Sequence, residues 1–164
     1  MDKNVIIAPV GPYMDELFVG IREFPTKKVI LISHDDFMDK ALDTKKNLEK
    51  FKIPTEIKSI KGNLWEETFK AVSEIKNAEK DSNLLINVST GDRDNRCAAT
   101  SAAFVNGIRA FGVDDKGLMM LPVLKFNYYN MITEKKMQIL RLLNNPNCCA
   151  SLEDLSKKSK MSWL

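Results

Sequence analysis

The feature that most constrains the fold is a repeated alternation between short apolar runs and amphipathic segments. Continuous apolar runs occupy residues 5–8, 29–32 and 84–86, the last within a predicted strand over 84–88, and a stretch with helical spacing of apolar residues follows each of them. Runs this short and uninterrupted are typical of parallel strands that are buried on both faces. Residues 55–60 alternate instead, which predicts a less buried strand at an edge of the sheet.

The alternation predicts an α/β fold with a doubly wound, mainly parallel, Rossmann-like sheet, because the connections are long enough for right-handed crossovers. With a fifth strand beginning over 109–113, the simplest strand order is 3-2-1-4-5. A last apolar strand over 118–124 belongs at an edge, because Pro122 interrupts it. Helices are expected over about 14–24, 36–51, 64–75 and 94–109. Such a sheet places a ligand crevice between strands one and four, where the order reverses.

The fourth strand leads directly into a small, polar turn, Ser89-Thr90-Gly91-Asp92-Arg93, and then into a long helix. A turn of this kind brings backbone N–H groups and hydroxyls to a helix N-terminus, which carries about half a positive charge and suits a phosphate or another anion. Arg93 could add a charge-assisted contact. Alternatively, Ser89 and Thr90 only shape the turn and cap the helix.

The turn after the first strand, Pro9-Val10-Gly11-Pro12, is predicted to open beside the fourth-strand turn at the carboxyl edge of the sheet. Asp35 lies 24 residues after Gly11. This is near the position at which the acidic residue of a dinucleotide-binding Rossmann fold binds a ribose hydroxyl. For Asp35 and its neighbour Asp36, helix N-capping is the alternative role. His34 could line the same crevice, but we assign it no role as a base.

Several sequence motifs are missing, and their absence argues against some common classes of binding and active site. The first turn lacks G-x-G-x-x-G, which argues against an ordinary dinucleotide site, and neither a P-loop nor a G-x-S-x-G elbow occurs. The three cysteines have no metal-ligand spacing and there is one histidine, so we expect no metal and no cofactor. Adjacent Cys148 and Cys149 are assigned no role, since neighbouring cysteines rarely form an unstrained disulfide.

The chain has 164 residues, 44% hydrophobic and 29% charged, which is ordinary for a soluble globular protein. Without a membrane-length apolar run or a signal-peptide pattern, it is predicted to be cytoplasmic and to have no membrane partner. The net charge of +3 lies wholly in residues 131–164, which hold six Lys/Arg and three Asp/Glu. A nucleic-acid contact would lie there, although a solvated basic tail explains the charge equally well.

The tail has the spacing of a helix-turn-helix. A helix is predicted over 132–143, a short helix runs from a Ser151 cap to about Lys158, and Ser162 caps the start of another, where the sequence stops. In a helix-turn-helix, the helix after the turn enters the major groove of DNA. A small helical cap or a dimerisation arm is the competing interpretation.

With these features together, the sequence resembles a CARF (CRISPR-associated Rossmann fold) domain joined to a winged helix-turn-helix, as in archaeal CARF-type transcriptional regulators. The resemblance rests on Ala8-Pro9-Val10-Gly11 after the first strand, on residues 86–93 (INVSTGDR) with their small-residue helix, and on residues 121–126 (LPVLKF) leading to 133–136 (TEKK) and Ile139-Leu140. The first two features cover residues 4–110, and the third extends the match into the tail.

The resemblance implies a CARF-like sensing domain over 1–130 and an incomplete, partial winged helix-turn-helix region over 131–164. It also implies a homodimer in which the two fourth-strand turns face each other across a crevice that binds a cyclic oligoadenylate or a related nucleotide. Binding would then control the DNA affinity of the attached module. The ligand-binding residues that it implies are Val10, Gly11, Ser89, Thr90, Gly91 and Arg93.

Two other functions compete with this regulator. One is a metal-independent ring nuclease, in which the 2′-hydroxyl of the cyclic oligoadenylate attacks its own phosphodiester. Ser89, Thr90 and Arg93 would orient the ligand, and Arg93 or Lys125 would steady the developing charge. The sequence shows no dedicated general base, so no catalytic residue is assigned. The other is a plain dimerisation module whose crevice binds nothing.

Overall fold

The computed structural model describes residues 3–122, 132–145, 148–149 and 151–159, and the chain divides into two units, 1–126 and 127–164. The strands of the first unit are β1 (Asn4–Pro9), β2 (Thr26–His34), β3 (Thr55–Ile60), β4 (Asn83–Asn87), β5 (Arg109–Asp114) and β6 (Gly117–Met120). Its helices are α1 (Asp15–Glu23), α2 (Met38–Lys50), α3 (Leu64–Ala78) and α4 (Arg93–Asn106), and a 3₁₀ turn over Asp35–Phe37 precedes α2.

The six strands form one sheet in the order β3-β2-β1-β4-β5-β6. Neighbouring strands are parallel except for β5 and β6, which form an antiparallel pair. The predicted order 3-2-1-4-5 is therefore confirmed, and β6 adds one strand at the edge. Residues 123 and 124, which the sequence placed in that last strand, lie outside the described residues.

Alternate residues along the strands contribute to two apolar cores, one on each face of the sheet. Ile6 and Leu31 belong to the core covered by α1 and α2, whereas Ile7 and Ile30 belong to the core covered by α3 and α4. Because both faces are buried, the middle positions of the central strands are apolar, which produces the short apolar runs in the sequence.

Helix α4 ends three residues earlier than the sequence predicts. Gly107 takes the left-handed conformation, with φ of 62°, and its N–H donates to the carbonyls of Ala103 and Phe104. This ends the helix, as glycine often does, and Arg109 begins β5. The small residues of α4 serve core packing, since four of them are buried: Ala98, Ala99, Ala102 and Ala103.

The described part of the second unit contains α5 (Glu134–Leu143) and α6 (Leu152–Ser159). The predicted Ser151 cap is confirmed, because its Oγ accepts a hydrogen bond from the amide of Asp154 at 3.2 Å. Neighbouring Cys148 and Cys149 are joined by a disulfide, which the sequence analysis did not predict. The predicted third helix lies outside the described residues. Within the described ranges, no helix is long and apolar enough to cross a membrane.

Candidate functional site

The turns after β1 and β4 lie against each other at the carboxyl edge of the sheet. A Cβ added to Gly11 would lie only 2.7 Å from Gly91 Cα, so the approach requires glycine. Two hydrogen bonds cross the same contact: Thr90 Oγ1 donates to Pro9 O at 2.6 Å, and the Tyr13 amide donates to Thr90 O at 3.1 Å. We call this contact between residues 9–13 and 89–92 the β1–β4 seam.

The polar side chains at the end of β4 hold the turn in place. Asn87 is fully buried, and its Nδ2 donates to Glu16 O at 3.0 Å while its Oδ1 accepts from the Ser89 amide at 2.9 Å. The Ser89 hydroxyl accepts from the Val113 amide at 2.7 Å and donates to the Val113 carbonyl at 3.3 Å. Asn87 was not predicted from the sequence, although a lone amide at the end of an apolar run was an available signal.

Most of the predicted ligand-binding residues are buried in this framework. Val10, Ser89 and Thr90 are at most 5% exposed, and Val10 packs in the core beneath α1 and α2. Both hydroxyls are bound within the domain, so in the structure Ser89 and Thr90 shape the turn. Capping of α4 falls to Asp92 instead, whose Oδ1 accepts from the Asn95 amide at 2.9 Å.

Arg93, in contrast, is exposed at the first residue of α4. Asp92 caps only the amide of Asn95, and within the described ranges the amides of Arg93 and Asp94 have no hydrogen-bond partner. These donors and the guanidinium suit an anion at the helix N-terminus. The carboxylates of Asp92 and Asp94 stand beside them, so Arg93 is needed to offset their charge.

Two further cations lie at the seam, and the sequence analysis predicted neither. Arg96 Nε donates to Gly91 O at 2.9 Å, and its guanidinium carbon lies 4.6 Å from the centroid of the Tyr13 ring. Lys40 Nζ donates to Pro12 O at 2.9 Å. Arg96 could be found from the sequence because it lies one turn into the helix, whereas the fold alone brings Lys40 from α2.

The acids after β2 do not cap a helix. Asp35 Oδ2 lies 3.4 Å from Lys61 Nζ, and Asp36 Oδ2 lies 3.4 Å from His34 Nδ1. Neither the 3₁₀ turn nor α2 has a side-chain cap, so the capping alternative for these acids is wrong. Pairs as exposed as these contribute little to stability.

The described residues contain no cluster of His, Cys, Asp or Glu that could hold a metal ion. Around the seam lie hydrogen-bond donors and positive charge: the amides of Arg93 and Asp94, two guanidiniums and a lysine. Such a set can bind and orient an anionic ligand.

Fold and seam together define a Rossmann-like α/β domain whose β1 and β4 turns meet at the topological switch point of the sheet. The chain belongs to the family described as HFX_2341_N:-like, N-terminal, which matches residues 4–116, more than half of the sequence. No curated protein matches the chain.

Several solved structures share the fold. Protein VC1899 from Vibrio cholerae has a TM-score of 0.65 at 15% identity over 76% of this chain. Can2 from Sulfobacillus thermosulfidooxidans, in complex with cyclic tetra-adenylate, has a TM-score of 0.63 at 14% identity over 95%. Csm6 from Enterococcus italicus, bound to cyclic hexa-2′-fluoro-hexa-dAMP, has a TM-score of 0.62 at 14% identity over 96%.

This chain spans only part of those proteins: 34% of VC1899, 57% of Can2 and 49% of Csm6. At such low identity the likeness concerns the fold. The doubly wound, mainly parallel, Rossmann-like fold that the sequence predicts is therefore confirmed.

Proposed function

We propose that residues 1–130 form a sensing domain that binds a cyclic oligoadenylate or a related nucleotide. The observation that carries the proposal is the exposed Arg93 at the start of α4, beside two amides that have no partner among the described residues and next to the closely packed β1–β4 seam. Two proteins of similar fold, Can2 and Csm6, have structures with a cyclic nucleotide bound.

In this proposal the predicted residues divide into two roles. Arg93 makes the charged contact with a phosphodiester, and the backbones of Gly11 and Gly91 form the floor. Ser89 and Thr90 hold the turn through their hydroxyls, so that the amides of α4 face the ligand in a fixed arrangement. Val10 supports the floor from the core. Preorganisation of this kind reduces the ordering that binding would otherwise require.

A ring of several nucleotides presents several phosphates, and one domain offers one Arg93. We therefore propose a homodimer in which two copies face each other across the starts of their α4 helices and enclose one ring. Cys97, which is exposed one turn after Arg93, provides the test. Mild oxidation should cross-link two copies through Cys97, and Cys97→Ser should abolish the link without changing the dimer mass in light scattering.

The helical region over 131–164 is proposed to be the output module, part of a helix-turn-helix that binds DNA. Its support is the excess positive charge, six Lys/Arg against three Asp/Glu, together with the two helices α5 and α6. Ligand binding would shift the population of states in which this module can engage DNA.

Titration calorimetry tests the ligand site directly. A charge-assisted contact predicts that Arg93→Ala weakens the binding of a cyclic oligoadenylate by about 10–100-fold. The matched control is Arg22→Ala, because Arg22 is an exposed arginine on α1 whose one ion pair among the described residues is with its neighbour Glu23. Equal affinities in the two variants would contradict the site. Chromatography of the recovered ligand separates a sensor, which returns an intact ring, from a ring nuclease, which returns linear products.

A further inference from the structure

We infer that Tyr13 and Arg96 form a stacking platform for a nucleobase of the ligand, at the rim of the β1–β4 seam. The inference rests on the proposed function and adds to it the part of the ligand that is recognised. The seam would contact a base as well as a phosphate, so its ligand class is a nucleotide rather than a simple anion.

The first observation is that Tyr13 is both exposed and fixed. Its side chain is 52% exposed, and its amide donates to the Thr90 carbonyl at 3.1 Å. A single exposed aromatic residue needs no explanation by itself. Tyr13 differs because its backbone is tied to the β4 turn and its ring lies against the Arg96 guanidinium, so both hold the ring at the rim before any ligand arrives.

The second observation is that Arg96 is held over the ring. Its Nε donates to the Gly91 carbonyl at 2.9 Å, and its guanidinium carbon lies 4.6 Å from the Tyr13 centroid. A guanidinium is planar and stacks well on aromatic faces. The flexible side chain of Arg96 has therefore lost much of its freedom already, and the ordering that a stacked ligand would impose on it is reduced.

The Tyr13 ring and the Arg96 guanidinium present flat π surfaces at the seam, the first beside the β1 turn and the second beside the β4 turn. Flat surfaces recognise flat rings, and stacking of a base on an aromatic side chain is worth about 5–100-fold in affinity. Stacking tolerates every base, so the platform distinguishes nucleotides from sugar phosphates more strongly than one base from another. An inorganic phosphate would gain nothing from the Tyr13 ring.

A purely structural role is the competing explanation, in which the stack only braces the turn. That role predicts that loss of the ring lowers the melting temperature and leaves a bound base unaffected. Tyr13→Phe keeps the ring, and Tyr13→Leu removes it while keeping an apolar side chain. The two variants therefore separate stacking from bracing when binding and melting are both measured.

The test uses the full chain, the cyclic adenylate that the wild type binds, and its analogue carrying the fluorescent base 2-aminopurine. Stacking quenches this base, so we expect quenching on binding to the wild type and to Tyr13→Phe, with affinities within about twofold of each other. We expect Tyr13→Leu to lose the quenching and about 5–100-fold in affinity. Arg93→Ala should weaken binding but keep the quenching at saturation.

Absence of quenching in the wild-type complex would overturn the platform, whatever the stability of the variants. Wild-type affinity and quenching in Tyr13→Leu would overturn it as well. Either result, combined with an effect of Arg93→Ala on affinity, would leave the proposed function standing. If no cyclic nucleotide binds the wild type, the proposed function fails and the platform fails with it.

Discussion

The close approach of two backbones at the β1–β4 seam makes Gly11→Ala the sharpest single perturbation of this domain. A Cβ at residue 11 would lie 2.7 Å from Gly91 Cα and 2.9 Å from the Asp92 nitrogen. Ordinary van der Waals contact begins near 3.4 Å. Because both partners are backbone, no side chain can rotate away, and the two turns must separate by about 0.7 Å.

That separation has an energetic cost that can be estimated from the structure. Overpacking of this kind costs about 1–3 kcal/mol. The hydrogen bond from the Tyr13 amide to Thr90 O, already 3.1 Å long, would stretch beyond a useful length, which adds about 1 kcal/mol. For a protein of this size each kcal/mol lowers the melting temperature by about 2–4 °C, so we expect a fall on the order of 10 °C.

Differential scanning calorimetry with Gly112→Ala as the control tests this estimate. A Cβ at residue 112 would meet Ser89 Oγ at 3.5 Å, which is ordinary contact, so this variant should melt at or slightly above the wild-type temperature. Gly11→Ala should also bind cyclic nucleotide more weakly, because the floor of the crevice has moved. Wild-type melting of Gly11→Ala would refute the close-approach argument, and equal losses in both variants would show that the effect is not specific to the seam.

Three further substitutions test the packing and the charges around the sheet. Thr68→Val should raise the free energy of unfolding by about 1 kcal/mol in a urea titration, because the Thr68 hydroxyl is buried without a hydrogen-bond partner among the described residues. Asn87→Leu should lower it by about 2–4 kcal/mol, since the Ser89 amide and the Glu16 carbonyl lose their partner. The hydrogen bond from Lys28 holds the pKa of Glu79 below its ordinary value of 4.5. The Glu79 carboxylate therefore stabilises the fold above pH 4.5, and this contribution is lost as the pH falls through the folded-state pKa. Glu79→Gln should therefore cost about 1 kcal/mol at pH 7 and progressively less in acid.

For each of these three predictions, a specific experimental result would contradict the reasoning. A destabilised Thr68→Val would mean that the hydroxyl is paired in solution. An Asn87→Leu protein as stable as the wild type would show that the turn does not depend on the buried amide. A difference between wild type and Glu79→Gln that grows in acid would reverse the sign of the argument.

The sheet was predictable because its signals are local. Three apolar runs, one alternating segment and the helices between them predict the elements and make 3-2-1-4-5 the simplest strand order. The turn after β4 follows from the strand that enters it and the helix that leaves it. The end of α4 was misplaced because Gly107 ends the helix through its backbone conformation, whereas the apolar pattern runs on into β5. The sequence alone does not show whether a glycine inside an apolar stretch ends a helix or lies within a longer element.

The site was predicted less well because its contacts are remote in sequence. The Thr90 hydroxyl binds Pro9 O, 81 residues away, and the Ser89 hydroxyl binds Val113, 24 residues away. Nothing local indicates that these groups are already occupied. Tyr13 was missed for the same reason, since the fold alone brings its ring against the Arg96 guanidinium.

The central claim is that this domain binds a cyclic oligoadenylate, and a thermal-shift series on the wild-type chain tests it most directly. Cyclic di-, tri-, tetra- and hexa-adenylate are compared at a ligand concentration expected to exceed Kd about 100-fold, where binding to the folded state adds about 2.7 kcal/mol. We expect one ring size to raise the melting temperature by about 5–10 °C. No rise with any ring, at concentrations up to the millimolar range, would contradict the claim and leave a Rossmann-like domain whose crevice serves another purpose.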